Sequence, residues 1–257
     1  MLLVVDMGNT HTVLGGFEEN DLVFELRMAT NRKATSDEWG LTVLQLLERQ
    51  KVDVSRITGI AYASVVPQLE WAMQNAFERY LGQKALCVDE TCFPDMAIEV
   101  DSPSEVGADR LVNAYAAWHQ FKSAMVLVDF GTATTFDVVS SSGAYLGGAI
   151  APGMELASDA LFHKAAKLPR VDVVRTQTAM GKNTSHAIRS GLFWGYVGLV
   201  DGLVNRLKNE MNEPCMVVAT GGLAKLFAGS SETLERVEPH LTLQGLRLLY
   251  ETHRARS

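Results

Sequence analysis

The sequence predicts an α/β protein of two similar domains, each a mixed sheet flanked by helices, and two observations carry that prediction. The first is an internal repeat: residues 2–16 read LLVVDMGNTHTVLGG and residues 125–139 read MVLVDFGTATTFDVV. Each copy runs four apolar residues into an aspartate, one further residue and a glycine, then resumes an extended pattern. Aligning Asp6 with Asp129 sets Gly8 on Gly131, Asn9 on Thr132 and Thr12 on Thr135. The copies lie 123 residues apart in a chain of 257, and self-similarity at half the chain length signals a repeated domain. The second observation is the switch, after each copy, from extended stretches to apolar residues at helical spacing, the pattern of sheets covered by helices.

In the first half, strands are expected at about 2–7, 11–18 and 22–29, with Gly8-Asn9 and Glu19-Asn20-Asp21 as turns. Thr35 or Ser36 can cap a helix that carries Trp39, Val43, Leu46 and Leu47 at helical spacing to about Gln50, and Asp37 and Glu38 suit its positive end. Ile57 to Ser64 reads as a strand that leaves through Val65-Val66-Pro67 into a helix over 68–81, followed by a short strand over 84–88. Three strands, helix, strand, helix, strand is the order of a ribonuclease-H-like domain. Residues 89–103 read as a loop, and Ser104 as the cap of a helix to about Phe121 that joins the halves. The domains are therefore placed at 1–117 and 118–257.

The second half repeats the meander at about 125–130, 133–140 and 144–150, with Ser140 to Gly143 as a turn. Gly147 to Met154 leads into a helix to about Ala166. Thr184 or Asn183 can cap a long helix ending near Asn209, with Ile188, Leu192, Tyr196, Leu199, Leu203 and Leu207 along one face. Cys215 to Ala219 reads as a buried strand, Thr220-Gly221-Gly222 as a strand-to-helix turn, and Leu243 to His253 as a closing helix.

Composition narrows the function. A hydrophobic fraction of 47% and 21% charged residues are those of a globular protein with ample core. A net charge of −7 argues against a general nucleic-acid or membrane-surface binder, which shows a basic footprint. Three cysteines, Cys87, Cys92 and Cys215, with no C-x-x-C pair fit a reducing compartment better than a disulfide framework. Met1 leads straight into a strand and no apolar run approaches the ~20 residues that span a bilayer, so a cytoplasmic protein is expected.

The two hairpins hold the chemistry. Glycine leaves backbone N–H groups accessible at each tip, hydroxyls add donors, and a carboxylate at the strand end can hold a cation that offsets phosphate charge. Two such hairpins make a clamp for a polyphosphate. Between them lies Gly107-Ala108-Asp109-Arg110 in the first turns of a helix, where the backbone dipole favours anions. The Asp109 carboxylate can accept a proton from a hydroxyl, and Arg110 can hold substrate or phosphate oxygens. A capping Asp beside a surface Arg is the structural alternative. The chain has no Walker-A run.

With these residues assembled, the chain resembles type III pantothenate kinases, members of the acetate and sugar kinase, heat-shock ATPase and actin superfamily. The likeness covers nearly the whole chain: DMGNTHT at 6–12, SVVP at 64–67, GADR at 107–110, DFGTATTFD at 129–137, GGAIAPG at 147–153, GKNT at 181–184, TGG at 220–222 and LTLQGL at 241–246. It implies two ribonuclease-H-like, actin-like ATPase domains with the active site in the interdomain cleft, a homodimer, and phosphorylation of pantothenate to 4'-phosphopantothenate by ATP with Mg²⁺, the first step towards coenzyme A. Asp6, Met7, Gly8, Asn9, Thr10, His11, Thr12 and Val13 are then expected to line the ATP phosphates, with Asp6 near Mg²⁺ directly or through water. Thr132 should touch phosphate, and Gly221 and Gly222 should let adenine pack on backbone. Gly107, Ala108, Asp109, Arg110 and Thr184 should contact pantothenate, with Asp109 as the catalytic base. Asp129, which the residues alone would assign to Mg²⁺, becomes on the resemblance the ligand of a monovalent cation, K⁺ or NH₄⁺.

The family also includes proteins first named as accessory regulators, so a nucleotide-binding regulator is one rival reading; intact Asp109 beside Arg110 counts against it. Another kinase or phosphatase of the superfamily is a second, and GADR between the hairpins counts against that. One departure from the resemblance stands out. Similar members carry an aromatic residue and an Asn-Pro pair before GADR, where this chain has Val100-Asp101-Ser102-Pro103 and keeps only the proline.

Overall fold

The computed structural model describes residues 1–165 and 168–256. By backbone contacts it divides into two units: residues 1–95, 102–116 and 242–257, and residues 96–101 and 117–241. This differs from a single cut after residue 117 in two places. Residues 96–101 group with the second unit, where Ile98 bridges Tyr145, and the C-terminal helix groups with the first.

The first unit is built on strands β1 (Leu2–Met7), β2 (His11–Glu18), β3 (Asp21–Ala29), β4 (Gly59–Ser64) and β5 (Ala85–Cys87). Their order in the sheet is β3-β2-β1-β4-β5. β1 to β3 form the antiparallel meander, while β4 pairs parallel to β1 and β5 parallel to β4. Leu3, Val4 and Val5 of the central β1 are fully buried, which is why that strand reads as an unbroken apolar run. Helices α1 (Ser36–Arg49) and α2 (Pro67–Ala76) pack on each other, and Trp39, Val43, Leu47, Leu69, Met73 and Phe77 close the core over β1 and β4. Thr35 is the cap of α1, in a reciprocal pair with Glu38. The helix expected over 68–81 ends earlier, with a π turn over Phe77–Leu81 stopped by Gly82 at φ +65°.

Ser104 does not cap the next helix. Pro103–Glu105 closes a 3₁₀ turn of its own, and α3 starts later, at Ala108–Phe121. The division between units falls inside α3, between Ala116 and Ala117.

The second unit repeats the plan with β6 (Met125–Phe130), β7 (Ala133–Val139), β8 (Tyr145–Pro152), β9 (Met216–Thr220) and β10 (Arg236–Val237) in the order β10-β9-β6-β7-β8. β6 to β8 are antiparallel neighbours, and β9 runs parallel to β6. The positions match the first sheet one for one, so the duplication read from the two hairpins extends to the topology of the whole sheet. Helix α4 (Met154–Lys164) follows β8, and its expected end at Ala166 lies outside the described residues.

Helix α5 (Thr184–Met211) is capped by Asn183, whose side chain accepts from the His186 N–H at 2.9 Å. Its buried face differs from the expected one: Phe193, Val197, Val200 and Val204 join Leu192 and Tyr196 in the core, while Leu199, Leu203 and Leu207 are half-buried at its margin. A 28-residue helix with apolar residues on several faces leaves the period ambiguous. The short α6 (Ala224–Ala228) follows β9, and α7 (Leu241–Arg256) closes the chain.

Candidate active site

In the first unit the hairpin aspartate sits at the carboxyl ends of the parallel strands β1 and β4, the edge where open α/β sheets bind ligands. Asp6 is half-buried and pairs with Val13 on one side and Ala63 on the other. The chain then turns tightly, with the Gly8 N–H donating to the His11 carbonyl at 3.0 Å. The Thr30 hydroxyl donates to the Gly8 carbonyl at 2.8 Å and shares a 3.0 Å hydrogen bond with the Thr12 hydroxyl, and Arg32 donates to Asn9 Oδ1 at 2.9 Å. The eight expected ATP residues thus separate. Met7 and Thr12 are buried and hold the hairpin, Asp6, Gly8 and Val13 are half-buried, and Asn9, Thr10 and His11 are exposed at the tip. Thr30 was not legible as a support, because it lies beyond the third strand and outside any motif.

Asp109 lies at the same end of this sheet. The Val65 N–H, one residue past β4, donates to the Met7 carbonyl at 3.1 Å, and a Cβ on Gly107 would lie 3.6 Å from Val65 Cγ1. Gly107 also lets the Asp109 side chain fold back, since that Cβ would stand 2.6 Å from Asp109 Oδ1. The Gly107 carbonyl accepts from the N–H groups of Arg110 and Leu111 and so opens α3, while the Arg110 N–H donates to Asp109 Oδ1 at 2.8 Å. Ala108, Asp109 and Arg110 are all half-buried in this first turn. Burial pushes the Asp109 carboxyl above the ordinary 3.8, against the opposing pull of the Arg110 N–H and guanidinium. A carboxylate moved towards neutrality by desolvation is poised to take a proton.

In the second unit Asp129 occupies the equivalent place, in register with Thr135 on β7 and Thr220 on β9. Residues in register across adjacent strands share a face, so a carboxylate and two hydroxyl-bearing residues converge there. Gly221, at φ +90°, brings its backbone within reach of the carboxylate: a Cβ would stand 2.4 Å from Asp129 Oδ1. Gly222 follows it, exposed, at the start of the turn into α6. The Gly131 N–H closes the hairpin onto the Ala133 carbonyl at 3.1 Å, and the Thr132 carbonyl accepts from the Gly153 N–H at 3.1 Å. Thr135 donates to the buried Asp137 at 3.0 Å, and Tyr145 donates to its other oxygen at 2.8 Å. Strand register, which the motifs do not state, is what selects Thr135 and Thr220.

Thr184 is the first residue of α5 and is exposed; Asn183 does the capping. Val100 lies against Gly147, whose Cβ would be 3.5 Å from Val100 Cγ1, so the segment that lacks the aromatic residue packs beside β8.

Oxygen donors dominate both strand ends, and among the described residues no cluster of three or more His, Cys, Asp or Glu could hold a metal unaided. That donor set fits Mg²⁺, which binds through one or two carboxylates together with substrate phosphates and water.

The family model for type III pantothenate kinase matches residues 2–206. A type III pantothenate kinase of Anaeromyxobacter sp. (strain Fw109-5) is 49% identical over 254 residues, covering 99% of this chain and 100% of its own. One of Geotalea daltonii is 47% identical over 254 residues, with 99% of each chain covered. Among solved structures, component A of the (R)-2-hydroxyglutaryl-CoA dehydratase of Acidaminococcus fermentans aligns with a TM-score of 0.58 at 14% identity, covering 100% of this chain and 99% of its own, a likeness of fold alone. The paired sheets, their strand-end carboxylates and this similarity agree: the chain belongs to the type III pantothenate kinase family.

Proposed function

We propose that Asp109 is the general base of this kinase, that Asp6 holds Mg²⁺ and that Asp129 holds a monovalent cation, K⁺ or NH₄⁺. The reaction is the ATP-dependent phosphorylation of pantothenate to 4'-phosphopantothenate, the first step of coenzyme A biosynthesis. The substrate hydroxyl gives its proton to the Asp109 carboxylate as its oxygen attacks the γ-phosphorus. The bond to the β,γ-bridging oxygen breaks, and ADP leaves. Mg²⁺ supplies charge neutralisation on the phosphates. Phosphoryl transfer asks chiefly for positioning and electrostatics, so a base, an anchoring Arg110 and the polar groups of Asn9 and Thr10 at the exposed hairpin tip suffice.

The observation that carries the assignment of the base is the raised, half-buried carboxyl of Asp109, folded back over Gly107 at the end of the sheet that bears Asp6. For the monovalent cation, the support is Asp129 among Thr135, Thr220 and the Gly221 backbone, an all-oxygen setting for a hard ion. Thr132, Gly221 and Gly222 are the phosphate and adenine contacts of this reading, and Thr184 joins Gly107, Ala108 and Arg110 as a pantothenate contact; it is an exposed residue, and Asn183 serves as the cap.

The same reading makes the protein a homodimer. Gly191, Gly195, Gly198 and Gly202 follow one another at helical spacing along α5, and a Cβ on any of them would meet nothing within 4 Å. Ile150, Leu156, Leu161 and Phe162 of the same unit are exposed apolar side chains. Small residues permit close helix approach, and exposed apolar surface of this kind marks a contact. Work in the cytoplasm is consistent with three cysteines that are all free and with the finding that no helix among the described residues is long and apolar enough to cross a membrane.

Coupled ADP release with pantothenate, in K⁺, NH₄⁺ and Na⁺ buffers, tests this reading. Turnover that needs Mg²⁺ plus K⁺ or NH₄⁺ is expected. Equal turnover in Na⁺ alone would remove the cation from Asp129, and no turnover under any salt would favour a regulator.

A further inference from the structure

The segment Leu241-Thr242-Leu243-Gln244-Gly245-Leu246 lies beyond residue 206, where the family match ends, and takes no part in the site described above. Its contacts lead to that site. Thr242 donates to the Oδ1 of Asn113 at 2.7 Å, across 129 residues of sequence. Asn113 is buried in α3, four residues after Asp109, and residues four apart lie one above the other on a helix face. Gly245, one turn further along α7, rests on α3 itself: a Cβ there would stand 2.6 Å from the Val112 carbonyl oxygen and 3.1 Å from Ala116 Cβ. α7 is in turn fixed to the sheet. Leu243 packs against Gly15 of β2, Tyr250 lies over Gly59 of β4, and Arg247 donates to Asn20 at 2.7 Å in the β2–β3 turn.

From this geometry we infer that Thr242 is a positioning residue for phosphoryl transfer: through Asn113 it sets the rotation of α3 and thereby the place of the Asp109 carboxylate. The inference rests on the reading of Asp109 as the base. The first turn of α3 is opened by the Gly107 carbonyl bonds and the Asp109 to Arg110 contact, and the Thr242 to Asn113 hydrogen bond and the Gly245 contact grip the following turn from outside. The leverage is large. A rotation of about 10° moves an atom at a helix's outer radius of ~6 Å by about 1 Å, and a misplacement of that size in an active site can cost about 100-fold in rate. Gly245 makes the grip stiff because it lets two backbones meet without an intervening side chain, and the hydroxyl of Thr242 gives it a direction.

The test is a double-mutant cycle on the full-length protein with Thr242→Val, Asp109→Asn and the pair, with Thr242→Ser as the conservative control. Thr242→Val, which keeps volume and loses the donor, should lower kcat about tenfold with KM for ATP unchanged, and Thr242→Ser should restore it. In the Asp109→Asn background, Thr242→Val should change kcat by less than about twofold, because the group it positions is gone. Thermal melting of each variant separates loss of fold from loss of position. Equal losses in both backgrounds, or a lower melting temperature with wild-type kcat, would overturn the positioning role while leaving the base in place. Wild-type kcat in Asp109→Asn alone would sink the base and this inference with it.

Discussion

Gly221 and Asp129 are in such close contact that the smallest side chain cannot be added between them: a Cβ would stand 2.4 Å from the carboxylate and 2.7 Å from both the N and O of Phe130. The residue also sits at φ +90°, where L side chains are strained. Gly221→Ala should therefore push the carboxylate out of place. It should cost about 1–3 kcal/mol in stability, or a melting temperature lower by about 2–4 °C per kcal/mol, and raise the K⁺ concentration for half-maximal activity at least about tenfold. Melting curves and a K⁺ titration read both effects; an unchanged K⁺ response in the destabilised protein would separate Asp129 from the cation.

Burial of Asp109 has a stability consequence opposite to its catalytic one. Its folded-state carboxyl is raised above the ordinary 3.8 by desolvation, so the folded state holds the proton more tightly than the unfolded one. That contribution is fully present below the unfolded value and is lost as pH rises through the folded value. At pH 7 the charged, half-buried group is a liability, and Asp109→Asn should melt at the same or a higher temperature than wild type. The difference should shrink in acid near pH 3. A variant that melts markedly lower at pH 7 would mean that the carboxylate is a stabilising cap.

The same shift sets the acid limb of the rate. The base works deprotonated, so kcat should fall as pH drops through the raised value, at a pH above that of an ordinary aspartate. A pH–rate profile with its acid limb at or below the ordinary carboxylate range would contradict the desolvated base.

Much of this was legible in the sequence because it is local. Four apolar residues, an aspartate and a glycine mark a buried strand entering a tight turn, and their repetition gives the antiparallel meander of each sheet; the two-residue β10 at Arg236–Val237 carries no such pattern. The start of α3 lies later than expected because a serine followed by a glutamate looks like a cap, whereas Pro103 closes a separate 3₁₀ turn and Val106 stays extended before Ala108. The buried face of α5 differs from the expected one because leucines and valines lie on competing faces and the sheet decides between them. Least legible were the long-range choices: Thr135 and Thr220 beside Asp129 follow from strand register, and α7 joins the first unit through contacts more than a hundred residues apart.

The glycine stripe of α5 predicts an association that one substitution should break. Wild type should sediment at about twice the 28.1 kDa of the chain, and Gly195→Arg, placing a long charged side chain where nothing now stands within 4 Å, should sediment as the monomer with its fold intact. A wild-type protein that runs at 28.1 kDa at micromolar concentration would refute the homodimer.

The role of Asp109 is the centre of this account, and direct detection of 4'-phosphopantothenate tests it most sharply. With ATP, Mg²⁺ and K⁺ saturating, Asp109→Asn should form product with kcat lower by about 10²- to 10⁴-fold, nearer the lower end because the loose transition state leaves proton loss late. Its ATP affinity should be unchanged, while Arg110→Ala should instead raise KM for pantothenate by removing a contact made equally to substrate and transition state. Near wild-type kcat in a folded Asp109→Asn protein would contradict the account.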